Sequence, residues 1–219
     1  MLIKWSVRFI LNATLLLAFT GCSNLTTLFF FPQQSYQHTP QFFGLEWQNI
    51  HHEAKDGTTL TSWYLPASRK SLGTVLFMHG NAQNISTHIN SVAWLPKHGY
   101  DIFLLDYRGY GKSTGSSSLS SALSDVEDAH RWLSNRATNL PLFVFGQSLG
   151  GALAITYTAN YSPNLLKISA LVSESAPASW PQIAREAMGR HWLTWLLQFP
   201  AKLMPNEYDA EDHIAKITS

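Results

Sequence analysis

Gly146-Gln147-Ser148-Leu149-Gly150 lies between the apolar run Leu142-Phe143-Val144-Phe145 and the stretch Ala152-Leu153-Ala154-Ile155-Thr156-Tyr157. The first reads as a buried strand and the second as a helix, so the pentapeptide occupies a sharp strand-to-helix turn. In that context G-x-S-x-G is a nucleophile elbow. A residue on such a turn has strained dihedrals and close neighbours, and glycines at 146 and 150 remove the Cβ atoms that would collide there. Gly146, Gln147 and Gly150 therefore shape the turn. The Ser148 hydroxyl is left at the positive end of a helix, where negative charge is stabilised.

Working outward, three more apolar runs read as strands: Thr74–Met78, Asp101–Leu105 and Ile168–Val172. Short, largely continuous apolar runs are the pattern of strands buried on both faces of a parallel sheet. Helical patterns at about 87–98, 119–137 and 151–161 alternate with them. Ahead of these, Trp47–Ala54 and Thr59–Leu65 flank Lys55-Asp56-Gly57, a hairpin signal. The sum is an α/β domain over residues 44–219: a mostly parallel, doubly wound sheet entered through an antiparallel hairpin. Residues 178–204, with Trp180, Trp192 and Trp195, read as a helical excursion after the sixth strand. It either caps an apolar pocket or packs on the sheet. Asp209–Ile217 begins a further helix.

Two loops bear on chemistry. Met78-His79-Gly80-Asn81 closes the third strand. Glycine there lets backbone approach a ligand, and the Asn81 N–H is a candidate for one half of an oxyanion hole. The Leu149 N–H, just after the serine, is the candidate for the other half. Gly111-Lys112-Ser113 hints at a phosphate loop, but a Walker motif needs glycine where Asp106 stands, so that reading fails.

Composition narrows the classes further. The 219 residues are 13% charged with a formal net charge of +1, and no basic patch points to a nucleic-acid partner. No Cys/His cluster has metal-ligand spacing, and no cofactor motif is present. Cys22 is the only cysteine, so it forms no internal disulfide.

The N-terminus reads as a targeting segment. Lys4 and Arg8 precede the mostly apolar Phe9–Phe19, too short to span a bilayer. Gly21-Cys22 follows. Residues 1–21 resemble a lipoprotein signal, which implies a lipid-modified Cys22 and a membrane-anchored protein of a bacterial cell envelope. Ser23 fits the outer membrane. Residues 22–43 read as a linker whose patch Leu28-Phe29-Phe30-Phe31 docks on the body or lies at the membrane.

His79-Gly80-Asn81-Ala82-Gln83-Asn84, Asp106-Tyr107-Arg108-Gly109-Tyr110-Gly111-Lys112-Ser113 and Gly146–Gly151 together resemble the α/β-hydrolase fold. More narrowly, they resemble its YfhR/BEM46-like serine hydrolases over residues 40–217. The resemblance implies hydrolysis of an ester, thioester or amide through an acyl-serine intermediate, without metal. It also implies the chain order serine, acid, histidine, which gives His79, ahead of the serine, a loop-orienting role. A triad acid and histidine are expected on two later strands that this chain lacks. Glu174, after the sixth strand, is a weak substitute acid, and His191 and His213 are the histidines that follow Ser148. Without the later strands the sixth becomes a sheet edge, and the isolated chain is expected to be unstable or to oligomerise. Two functional readings remain: a serine hydrolase acting on a small acyl substrate, and a membrane-anchored pseudo-hydrolase or inactive fragment.

Overall fold

The computed structural model describes residues 25–136, 139–189 and 206–217. A two-residue strand β1 (Phe31–Pro32) is followed by the hairpin strands β2 (Gln48–Glu53) and β3 (Thr59–Leu65). Then come β4 (Gly73–Met78), β5 (Ala82–Gln83), a single turn α1 (Ile85–His88) and β6 (Tyr100–Leu105). The remainder is α2 (Leu119–Ser134), β7 (Leu142–Gln147), α3 (Leu149–Asn160), β8 (Ile168–Glu174), α4 (Trp180–Gly189) and α5 (Ala210–Ile214). The six-stranded sheet has the order β2-β3-β6-β4-β7-β8. β2 and β3 pair antiparallel with their neighbours, and β6, β4, β7 and β8 run parallel. The fold is that of an α/β hydrolase sheet, as the sequence implies, with every expected strand present.

The central strands are mostly apolar because both faces are covered. Their period-two alternation divides the core. Leu76, Met78, Phe103 and Leu105 pack under α2 and α3. Val75, Phe77, Ile102 and Leu104 pack on the opposite face with Trp63, Ile85, Ile89 and Val92. α2 starts at a capping box in which Ser118 and Ser121 satisfy each other's amides. Its buried residues Leu119, Ala122, Val126, Ala129 and Leu133 recur at alternating spacings of three and four, one stripe facing the core. α3 differs: Leu149 to Tyr157 are all buried, so this helix lies inside the domain, between the sheet and α2.

The helix expected at 87–98 is not continuous. α1 ends after one turn, and 3₁₀ turns occupy Ile89–Ser91 and Pro96–His98. Side chains take over the backbone acceptors: Thr87 Oγ1 donates to the Asn84 carbonyl, Asn90 Nδ2 to Thr87 and Trp94 Nε1 to Ser91. Pro96 lacks the amide that would continue a helix.

The hairpin is tied to the parallel core by Arg108. Its guanidinium and backbone amide bond Asp125 on α2, with Nη2–Oδ1 at 2.6 Å, and Nη1 reaches Asp56 in the hairpin turn at 2.7 Å. Removing the fully buried Asp125 would leave Arg108 with Asp56 as its remaining carboxylate and its amide, Nε and Nη2 donors unpaired, a loss of about 3 kcal/mol, the low end for a broken buried pair.

Three histidines couple stability to pH. Burial holds His52, His88 and His130 below the ordinary value of 6.5, with His51 adding to the effect on His52 and His79 to that on His88. Each ring binds a proton less readily folded than unfolded, so unfolding takes up protons. Their contribution is therefore complete above pH 6.5 and declines as pH drops through it. The urea midpoint should fall from pH 7 to pH 5. His52→Leu should flatten that fall without weakening the fold at pH 7, because neither ring nitrogen of His52 has a hydrogen-bond partner. An unchanged pH slope in that variant would remove His52 from the account.

β8 pairs with β7 on one side and has no partner strand on the other among the described residues. Val172 on it is 53% exposed. No strand follows β8 among the described residues. The Trp192 and Trp195 part of the excursion and the signal segment with Cys22 lie outside them; α4 is the described start of the excursion. Among the described residues no helix is long and apolar enough to cross a membrane.

Candidate active site

The parallel register brings Met78 beside Leu105 on one side and Gly146 on the other. The loops after β4, β6 and β7 thus leave the sheet at one edge. The chain runs from β4 to β6 on one flank and then crosses to β7 on the other, so a crevice opens beyond the carboxyl end of β4.

Ser148 stands at this crevice between β7 and α3. Its φ of 54° and ψ of −118° are outside the helical and strand regions. Its carbonyl accepts from the Gly151 and Ala152 amides, and its own amide donates to the Glu174 carbonyl at 2.8 Å. Those bonds hold the strained turn on three sides. The flanking glycines are required by backbone contact. A Cβ on Gly150 would lie 2.1 Å from the Met78 carbonyl oxygen, and one on Gly146 2.2 Å from that of Gly150.

A pocket of about 270 Å³ opens beside Ser148. Asn81 and Leu149 line it together with the serine, so the structure brings the three sequence candidates to one cavity. Among the described residues the amides of Asn81 and Leu149 donate to no acceptor. The apolar walls are Phe29, Pro177, Trp180 and Ile183, with the Phe29 and Trp180 rings 4.9 Å apart.

His79 is fully buried behind this loop, stacked on His88 and packed against the tilted ring of Tyr107 and the edge-on ring of Tyr110. Its Nδ1 donates to the Gly80 carbonyl at 2.7 Å, which fixes the tautomer and the peptide plane carrying the Asn81 amide. Its Nε2 lies 3.4 Å from Asp106 Oδ1 without hydrogen-bond geometry. Asp106 in turn accepts from the Ile85 amide and the Tyr36 hydroxyl. Gly80 is close to both His88 and Ser148: a Cβ there would lie 3.1 Å from the His88 ring and 3.6 Å from Ser148 Cβ.

The other titratable candidates have different neighbours. His88 bonds Gln147 and the Ala82 carbonyl through its two nitrogens. The Glu174 carboxylate accepts from Gln147 at 3.3 Å. His213 contacts Asn160 and the Glu207 carbonyl. Asn160 ends α3, so His213 is one helix length, roughly 18 Å at 1.5 Å per residue, from the serine end. His191 lies outside the described residues. Among the described residues no group of three His, Cys, Asp or Glu could hold a metal ion.

Sequence reasoning missed Phe29 as a pocket wall and the His88–Gln147–Glu174 chain beneath the elbow. The apolar patch at 28–31 is the one signal for the former.

A doubly wound sheet with a serine elbow beside a loop at the end of β4 defines an α/β hydrolase. Residues 69–219 match the family described as serine aminopeptidase, S33, and the chain belongs to it. It is 32% identical to YfhR of Escherichia coli K12 over 177 residues, covering 78% of this chain and 58% of YfhR. It is 35% identical to bem46 of Schizosaccharomyces pombe over 152 residues, covering 66% of this chain and 50% of that protein. The chain thus spans less than two thirds of the length of these relatives. Among solved structures, an α/β hydrolase from Vibrio vulnificus superposes with a TM-score of 0.67 at 21% identity, covering 78% of this chain and 60% of that one, a likeness of fold.

Proposed function

We propose that the protein is a serine hydrolase that cleaves an ester, thioester or amide through an acyl-serine intermediate. The observation that carries this reading is Ser148, held at a strained φ in one cavity with two undonated amides, those of Asn81 and Leu149. In the proposed step Ser148 Oγ attacks the acyl carbonyl carbon as its proton passes to a general base. The carbonyl oxygen, now negative, is held by the two amides, which need no reorganisation because they are already free. Collapse expels the alcohol, thiol or amine, protonated by the same base, and water then releases the acid. Phe29, Trp180 and Ile183 suit an apolar acyl chain.

No described residue supplies the base. Both nitrogens of His88 are engaged, and His213 is at the far end of α3. We assign proton transfer to the acid and histidine that the family resemblance puts after residue 217. A fluorophosphonate probe tests the reading: it should become covalently attached, and peptide mapping should find it on Ser148. A folded protein that carries that acid and histidine and still gives no adduct at Ser148 would instead favour the non-catalytic binder.

The anchoring proposal is separate. Lipidation of Cys22 would tether the domain three residues before the described fold begins, within about 10 Å of chain. Cys22→Ser should move the protein from the membrane fraction to the soluble fraction of a bacterial host; retention in the membrane would reject it.

A further inference from the structure

The segment that reads as a linker is built into the candidate site. Thr26 Oγ1 accepts from the Leu119 amide, and Phe30 is buried against Tyr110. β1 pairs parallel with β5, the strand formed by the loop that carries Asn81. The Phe31 amide donates to the Asn81 carbonyl at 2.8 Å and contacts the Tyr110 hydroxyl at 3.1 Å, while that hydroxyl donates to the same carbonyl at 2.6 Å. The Gln33 amide donates to the Gln83 carbonyl, and Asn84 Nδ2 returns bonds to the Gln33 and Ser35 carbonyls. Pro32 falls between the two donors, at the position whose amide would face away from β5, so its missing N–H forfeits no bond.

Asn81 is therefore gripped on both of its peptide planes. His79 holds the Gly80 carbonyl ahead of it, and β1 with Tyr110 holds its own carbonyl behind. Phe29, two residues before Phe31, turns into the pocket against Trp180.

We propose that residues 25–33 are a strap belonging to the active site, in which β1 positions the Asn81 amide and Phe29 is a specificity-determining wall that limits acyl-chain length. This rests on the reading of Ser148 and Asn81 as nucleophile and oxyanion donor. The strap acts through two distinct contacts, so its two roles separate by mutation. Phe31→Pro removes the amide that holds Asn81. Tyr110→Phe removes the bridging hydroxyl and keeps the ring in the core. Phe29→Ala opens the pocket and leaves the β1–β5 pairing intact.

The test combines hydrogen-exchange mass spectrometry of the full chain with labelling of Ser148 by alkyl fluorophosphonates carrying four- or sixteen-carbon chains. In Phe31→Pro and Tyr110→Phe, the β5 amides at 82–83 should exchange about tenfold faster, and the short probe should label about tenfold more slowly, equivalent to about 1.4 kcal/mol of positioning. Phe31→Ala, which keeps the amide, should restore wild-type exchange. In Phe29→Ala, the ratio of long-chain to short-chain labelling should rise about tenfold, while exchange at 82–83 stays as in wild type. Leu28→Ala, on the exposed side of the strap, is the control for both. Unchanged exchange in Phe31→Pro and Tyr110→Phe overturns the clamp. An unchanged chain-length ratio in Phe29→Ala, with Ser148 labelled, overturns the specificity role. Absence of labelling in wild type and all variants rejects the catalytic reading and the specificity role with it, and exchange alone then decides whether the clamp exists.

Discussion

Ser148→Ala should eliminate fluorophosphonate labelling and lower acyl hydrolysis at least about 10³-fold, the scale on which removal of a nucleophilic serine acts. The thermodynamic consequence is separable from the kinetic one. At φ 54° and ψ −118°, alanine is as strained as serine, so Ser148→Ala should leave stability nearly unchanged. Glycine tolerates that conformation. Relief of about 1–3 kcal/mol of backbone strain, less about 0.5–1 kcal/mol of added chain entropy, makes Ser148→Gly a stabilised and inactive protein. Urea titrations of the wild type and the two variants check this. Equal midpoints for Ser148→Gly and the wild type would mean that the elbow stores no strain, and residual hydrolysis at the wild-type rate in either variant would move the chemistry away from this serine.

Gly150→Ala should cause the largest loss of stability of any single methyl addition in the site. The new Cβ would lie 2.1 Å from the Met78 carbonyl oxygen and 2.5 Å from that of His79. Both are backbone atoms at the end of the central strand, so no side chain can swing away, and α3 must retreat from β4. Overpacking of a yielding core costs about 1–3 kcal/mol, and a rigid contact exceeds that range, so a loss of about 4 kcal/mol is expected. Gly151→Ala is the informative comparison. Its Cβ meets the Ser173 hydroxyl at 2.9 Å and Ala176 Cβ at 3.1 Å. A rotating hydroxyl can yield, and the helix gains about 1 kcal/mol of propensity, so the net change should be within about 1 kcal/mol. Similar losses in the two variants would show that the close approach of α3 to β4 is not rigid.

The parts of this molecule legible in its sequence are those whose physics is local. Thr74–Met78 and Asp101–Leu105 advertise a two-sided burial by apolarity alone, and Ser148 advertises its turn by the glycines on either side. The interval 87–98 has helical spacing, yet Thr87, Asn90 and Trp94 direct their hydrogen bonds to nearby carbonyls and Pro96 stops the helix. Periodicity does not register that competition. The strap reads as a linker in sequence because its stabilising bonds span fifty residues, from Phe31 to Asn81, and run through backbone that carries no compositional mark. Asn81 and Leu149 can be named as partners because one follows a strand end and the other follows the serine. Phe29 cannot be named as a wall, because its contact with Trp180 joins segments 151 residues apart.

α3 is buried on every side from Leu149 to Tyr157, whereas β1 lies on the surface with both residues exposed. The two ends of the pocket therefore belong to different cooperative units. Displacing the serine should require disruption of the sheet on which α3 packs, whereas the wall opposite, carried by a surface strand of two residues, should open at a lower free energy. A bulky substrate would then enter by way of that easier opening. Sequence changes in the strap can retune what enters, and how fast, across a range that the immobile half of the site could never survive.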